Sequence, residues 1–150
     1  MENIQYGIAW QESYRLGDER VDRQHRQIFA LLSGLISSCL DGSNEEHVKK
    51  TLDFLVNYTV HHFFDEETLQ LQYEYPEYAR HKVLHEDFKA TVTRIVEKYE
   101  KEGSSAELCN DLNKIVARWL VSHITREDRK IGEFIRKADR SRFSDQGDVA

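Results

Sequence analysis

Between His61 and His85 the sequence runs HHFFDEETLQLQYEYPEYARHKVLH. His62 and Glu66 are four residues apart, and so are His81 and His85. Positions i and i+4 lie one above the other on the same helix face. Each pair can therefore offer two donor atoms to one metal ion. Tyr75–Pro76 reads as a turn between two helices, which makes them antiparallel neighbours. His61 and Asp65 form a rival pair on the first of these helices. Its stripe (Phe54, Tyr58, His61, Asp65, Thr68, Gln72) is more polar than the stripe of Leu52, Leu55, Thr59, His62, Glu66, Leu69 and Tyr73. The apolar stripe is the one a core would bury, so His62 and Glu66 are read as inward and His61 as an edge residue.

The helices that must carry these pairs are legible from their spacing. A first helix is expected from Asp18 to Leu40, with Asp18 or Asp22 accepting from free N–H groups of the first turn. Its buried stripe would be Val21, His25, Ile28, Leu32, Leu35 and Cys39. Asp41–Gly42 ends it. Ser43-Asn44-Glu45-Glu46 reads as a capping box that starts the second helix. Pro76 suits the first position of the third, where no N–H is needed. That helix continues through Tyr78, His81, His85, Phe88, Val92, Ile95 and Tyr99 to Glu102, and Gly103 stops it. Ser104-Ser105-Ala106-Glu107 reads as another capping box. The fourth helix then carries Leu112, Val116, Trp119 and His123. A short C-terminal helix over 128–139 and a frayed polar tail over 140–150 complete the chain. Residues 1–17 form an arm, packed on the helices by Trp10, Tyr14 and Leu16. The expected fold is all-α: an antiparallel up-down-up-down four-helix bundle with an N-terminal arm and a short C-terminal helix, as one domain over 1–150.

This topology brings the remaining histidines to the same place. His25 lies about 17 residues before the first turn and His62 about 19 after it. The midpoint of His81 and His85 lies about 20 before the third turn and His123 about 18 after it. At 1.5 Å per residue all four stations are roughly 25–30 Å from one end of the bundle. A lone His on an apolar helix face is more often a core residue than a ligand. Five at one depth with a carboxylate in register reverse that reading, because unpaired imidazoles are costly to bury. His47, in the first turn of the second helix, is far from this level and reads as a surface residue.

A second carboxylate is harder to place. Glu127 stands at i+4 from His123 and is the simpler geometric choice. Asp128 stands at i+5, about 140° away on a regular helix. It reaches the site only if the helix bulges near 124–127, and π-type bulges are frequent at functional sites. Imidazole and carboxylate donors suit Fe, Zn, Mn, Ni or Cu. Seven side-chain ligands are too many for one tetrahedral zinc and suit two octahedral-preferring metals bridged by carboxylates.

Composition narrows the partners. A net charge of −6 and a pI near 5.6 argue against nucleic acid or an anionic membrane surface. The longest apolar run, over 27–40, is too short to span a bilayer. The start of the chain lacks the pattern of a secretory signal. Cys39 and Cys109 form no CxxC motif and are expected as buried free thiols. A cytoplasmic location fits these features.

Taken together, Asp22-x-Gln24-His25, His62-Phe63-x-x-Glu66-Glu67, Tyr75-Pro76-x(4)-His81-x(3)-His85-x-x-Phe88 and Trp119-x(3)-His123-Ile124-x(3)-Asp128 resemble the hemerythrin family, in its single-domain bacterial form. The similarity spans about residues 8–136. The resemblance implies two non-haem iron ions, bridged by carboxylates and an oxo or hydroxo group. It assigns His81, His85 and His123 to one iron, and His25 and His62 to the other, which keeps a position open for dioxygen. It makes Glu66 and Asp128 the bridges, against the geometric lean toward Glu127. Trp119, Leu120 and Ile124 would line the apolar dioxygen pocket. The implied role is reversible dioxygen storage, delivery or buffering without enzymatic activity. Oxygen sensing through a partner protein, and peroxide or NO processing, are the competing roles. One departure is Gln70, where many bacterial relatives carry Met.

Overall fold

The computed structural model describes residues 9–42 and 45–147, with side chains to residue 141. Four antiparallel rods pack around one core. The first is α1 (Glu19–Leu40), the second α2 (Glu45–Gln72) and the third α3 (Tyr78–Glu102). The fourth, over 106–147, is α4 (Ala106–Asp111), a π segment (Leu112–Ala117), α5 (Arg118–Ser122), a second π segment (His123–Asp128) and α6 (Arg129–Gly147). The residues at its joints are all in the right-handed helical region, so the rod has no break. No helix among the described residues is long and apolar enough to cross a membrane.

Asp18 caps α1 as expected, accepting from the Val21 N–H at 2.9 Å. Asp22 has a different use. Its carboxylate accepts from Leu16 N at 2.8 Å and from Gly17 N at 3.1 Å, which ties the arm to the helix. Gly17 sits at φ +101°, a conformation that side chains resist. The arm residues Trp10 and Tyr14 lie on Phe29 at ring distances of 5.7 and 5.6 Å. A single 3-10 turn, Glu12–Tyr14, shapes this stretch. Arg129 and Arg136 of α6 donate to the Ser13 and Leu16 carbonyls, each at 2.6 Å. The arm residues expected over 1–8, and Ser43 and Asn44 of the capping box, lie outside the described residues.

The expected stripes form the core. Ile28, Leu32, Leu35, Leu52 and Leu112 are almost wholly buried, and Ile36, outside the expected stripe, joins them. Each such side chain contributes roughly 1.5–3 kcal/mol relative to an exposed one. Val92, Leu69 and Cys39 on the same stripes are only half-buried. Cys39 and Cys109 are both free thiols, and only Cys109 is buried.

Two local expectations need correction. Pro76 is not the first helical residue. It is the second residue of a turn closed by Tyr78 N to Tyr75 O at 3.2 Å, and α3 begins two residues later. Proline's fixed φ suits this turn position as well as it suits a helix start. The cap of α4 is Ser105, which accepts from Leu108 N at 3.0 Å. Ser104 instead donates its backbone N–H to Glu45 Oε1 at 3.0 Å, joining the two ends of neighbouring rods. The short C-terminal helix is present as α6, which closes the fourth rod. Helical backbone continues to Gly147, supported by the arm contacts of Arg129 and Arg136. The π segment at Leu112–Ala117 has no counterpart in the sequence reading.

Candidate metal centre

Each rod delivers its donors to one level. His25 comes from α1, His62 and Glu66 from α2, His81 and His85 from α3, and His123 and Asp128 from the fourth rod. Six of the seven are no more than 2% exposed, and His123 is 5% exposed. The second π segment decides the fourth rod's contribution. It spans His123 to Asp128, and the wider turn brings Asp128 Oδ1 within 3.1 Å of His123 Nε2. Glu127, the simpler choice on a regular helix, points away and pairs with Arg80 at 2.6 and 3.1 Å.

The donors fall into two overlapping groups that share Glu66 and Asp128. In one, Glu66 Oε1 is 2.8 Å from His81 Nε2 and 3.3 Å from His85 Nε2. Asp128 Oδ1 is 3.1 Å from both His81 Nε2 and His123 Nε2. In the other, Glu66 Oε2 is 3.2 Å from His62 Nε2 and 3.7 Å from His25 Nε2. Asp128 Oδ2 is 3.2 Å from His25 Nε2. Each carboxylate thus turns one oxygen to two imidazoles of the first group and its other oxygen to the second group.

The electrostatics of the cluster suit it to hold metal ions. Burial disfavours a charged imidazole, and at His62 it prevails and lowers the pKa. At His25 and His81 burial is outweighed by Asp128 and Glu66, which hold these rings up at about 9 and about 10. His85 is raised against burial by Glu66 and Glu67. Glu66, despite burial, is held well below the usual carboxylate range by the facing rings of His25, His62, His81 and His85. Asp128 is lowered too, against burial and the charge of Glu66, by His123 and His25. Protons alone serve this set poorly. His123 Nε2 is 3.1 Å from His81 Nε2 and 3.2 Å from His85 Nε2, and one proton cannot satisfy three facing nitrogens. His25 Nε2, Glu66 Oε2 and Asp128 Oδ1 have no hydrogen-bond partner. Buried orphans of this kind are costly. Borderline donors of this type fit divalent transition metals.

A surrounding shell fixes the rings. His62 Nδ1 is 2.7 Å from Gln24 Oε1, whose amide Nε2 donates to Asp65 Oδ2 at 2.8 Å. Arg20 holds the same Asp65 oxygen at 2.8 Å. His85 Nδ1 is 3.1 Å from Glu67 Oε2. With Nδ1 donating, each ring's Nε2 lone pair faces the cluster. Phe63 stacks on His85 at 3.9 Å and 7°, and Trp119 stacks on His123 at 4.3 Å and 12°. Leu120 and Ile124 are buried, and Trp119 is half-buried beside them. His61 is exposed and pairs with Asp65 at 3.3 Å, and His47 is exposed.

Sequence reasoning did not single out Gln24, Asp65, Glu67 and Phe63 as supports. The available signal was their adjacency to ligands. Gln24 precedes His25, Phe63 follows His62, and Asp65 and Glu67 flank Glu66. Gln70 proves fully buried, with neither amide atom partnered.

Comparison with known proteins places this geometry. The model of the hemerythrin HHE cation binding domain matches residues 16–135. A bacteriohemerythrin of Stenotrophomonas maltophilia is 29% identical, the match covering 91% of this chain and 86% of the relative. A bacteriohemerythrin of Methylococcus capsulatus is 32% identical over 74% of this chain and 82% of its own. A myohemerythrin of Sipunculus nudus is 31% identical over 81% of this chain and 88% of its own. A crystal structure of a leucine-to-phenylalanine mutant superposes with a TM-score of 0.75 at 27% identity, over 84% of this chain and 95% of that one.

Proposed function

The chain belongs to the hemerythrin family, and from that membership we propose that it is a non-haem di-iron protein that binds dioxygen reversibly, for storage, delivery or buffering. The observation that carries this reading is the division of five Nε2 atoms between two shared carboxylates, three on one side and two on the other. We assign His81, His85 and His123 to one iron and His25 and His62 to the second, with Glu66 and Asp128 bridging both. With only His25 and His62, the second group would leave room for dioxygen. Two irons held there would lend dioxygen two electrons on binding and recover them on release.

The chain's own residues make reversibility possible. A ligand set with five neutral imidazoles donates less negative charge than the carboxylate-rich di-iron bundles do, which disfavours strongly oxidising states. Gln24 and Glu67 hold His62 and His85 in the ligating tautomer. Trp119, Leu120 and Ile124 supply an apolar wall that excludes water from the bound gas. Every ionisable group gathered at the cluster, among the described residues, is a ligand in this reading or positions one. That makes a carrier the better description than an enzyme. Two free thiols accord with a reducing cytoplasm.

The test is an optical titration combined with iron analysis. Reduced, iron-loaded protein should hold two irons per chain and develop an absorption band in air that disappears under argon. A spectrum insensitive to dioxygen, or iron content far from two, would overturn the proposal.

A further inference from the structure

A second space lies beside the metal centre, between α2, α3 and the fourth rod. It has a volume of about 190 Å³. Its walls include Leu52, Leu55, Phe63, Phe88, Ile95 and Leu112. Polar groups reach it only from Thr59, Lys89 and Thr93. Two of these are already engaged at its mouth. Lys89 Nζ lies 3.0 Å from Glu86 Oε1, and the Thr93 hydroxyl donates to the Lys89 carbonyl at 2.8 Å. Val60, 42% exposed, forms the rest of the rim. The interior therefore offers an occupant apolar contact and no free charge.

We propose that this space is a binding site for a small neutral apolar molecule, of the size of a single aromatic ring or a short alkane. An apolar cavity of about 150 Å³ lined by Leu, Ile and Phe stays dry and takes up benzene or xenon. The space here is larger than that and similarly lined. A charged ligand would have to leave water without a partner inside, which is costly. The binding claim does not depend on the identity of the metal.

The site is coupled to the metal centre through stacked rings. Phe63 is part of its wall and stacks on His85 at 3.9 Å. Phe88 is also part of the wall and stacks on Trp119 at 3.9 Å and 14°, and Trp119 stacks in turn on His123. An occupant thus touches, through one ring or two, a pair of histidines on the same side of the cluster. Leu120 lines the space as well, whereas Trp119 and Ile124 do not.

The experiment titrates toluene into the full chain, metal-free and metal-loaded, and follows methyl resonances by heteronuclear NMR. Saturable shifts are expected at Val56, Leu112 and Val116 in both forms. Val92→Phe, which puts a ring into the space from a half-buried position, should weaken toluene binding about tenfold or more. Val56→Phe is the second variant, should the first lose its helical circular dichroism. Benzoate, with the same ring and a charge, should bind at least about tenfold more weakly than toluene. No saturable shift up to the solubility of toluene would overturn the proposal. So would undiminished binding in the folded variants, shifts centred on the exposed Leu71 and Val83, or equal binding of benzoate.

Discussion

His123 Nε2 and Asp128 Oδ1 are 3.1 Å apart although five residues separate them, because the backbone between them is a π turn. A regular helix would leave those side chains about 140° apart and would offer Glu127 in place of Asp128. The two neighbouring acids therefore have opposite expected phenotypes. Asp128→Asn should lower the metal content of the purified protein while far-UV circular dichroism stays largely intact. Glu127→Gln removes a partly exposed ion pair with Arg80. Such pairs contribute about 0–1 kcal/mol, so metal content should hold and urea unfolding should shift little. Equal metal loss in both variants would remove Asp128 from the ligand set.

Gln24 carries no proposed ligand atom, yet it joins His62 to Asp65. Gln24→Leu keeps the volume roughly and removes both hydrogen bonds. Loss of such a partner commonly lowers metal affinity about 10–100-fold. The loss should fall on the His25–His62 side first, so chelator competition should resolve one weakened metal and one nearly unchanged.

The metal-free protein should lose stability as pH rises from neutrality. His25 and His81 have folded pKa values raised from 6.5 to about 9 and about 10. A raised pKa contributes stability that is complete below the unfolded value and lost as pH climbs through the folded one. His85 adds in the same direction, and His62, lowered by burial, opposes it. Glu66 and Asp128 are depressed, so their contribution is present above the ordinary values of 4.5 and 3.8 and fades on acidification. The melting temperature of chelated protein should therefore be highest on the mildly acidic side and decline toward about pH 10. Metal ligation needs neutral imidazole, so adding metal at about pH 8 should release protons, roughly two per chain. A weakly buffered solution with an indicator dye reads this directly. No proton release would contradict the charge state assigned to His25 and His81.

Gln70 is fully buried with both amide atoms unpartnered by protein. A buried unsatisfied polar group costs about 1–3 kcal/mol. Gln70→Met, an unbranched apolar replacement of similar length, should raise the urea midpoint of the metal-free protein. An unchanged or lower midpoint would mean that the amide is satisfied in solution.

Much of this centre was legible in the sequence because helix periodicity and rise are nearly invariant. His25, His62, Glu66, His81 and His85 follow from i+4 spacing and from equal distances to the turns. Asp128 was not fixed by spacing, since a π turn is a departure from the period on which the reading depends. The π segment at Leu112–Ala117 escaped altogether for the same reason. Pro76 and Ser104 were misplaced by one or two residues, because turn and helix-start chemistry favour the same residue types. Gln24 and Glu67 act through contacts between rods, which no pattern within one helix reports.

The arrangement of the donors also bears on how the protein comes together and apart. His25 on α1 meets Asp128 at the end of the last π segment, 3.2 Å away, after three chain reversals. No local fragment contains the site, so it exists only when the whole chain has returned on itself. Contacts formed after the rate-limiting step alter escape from the native state more than arrival at it. A metal bound there would leave the folding rate almost unchanged and lengthen the native lifetime, acting as a late lock on the bundle.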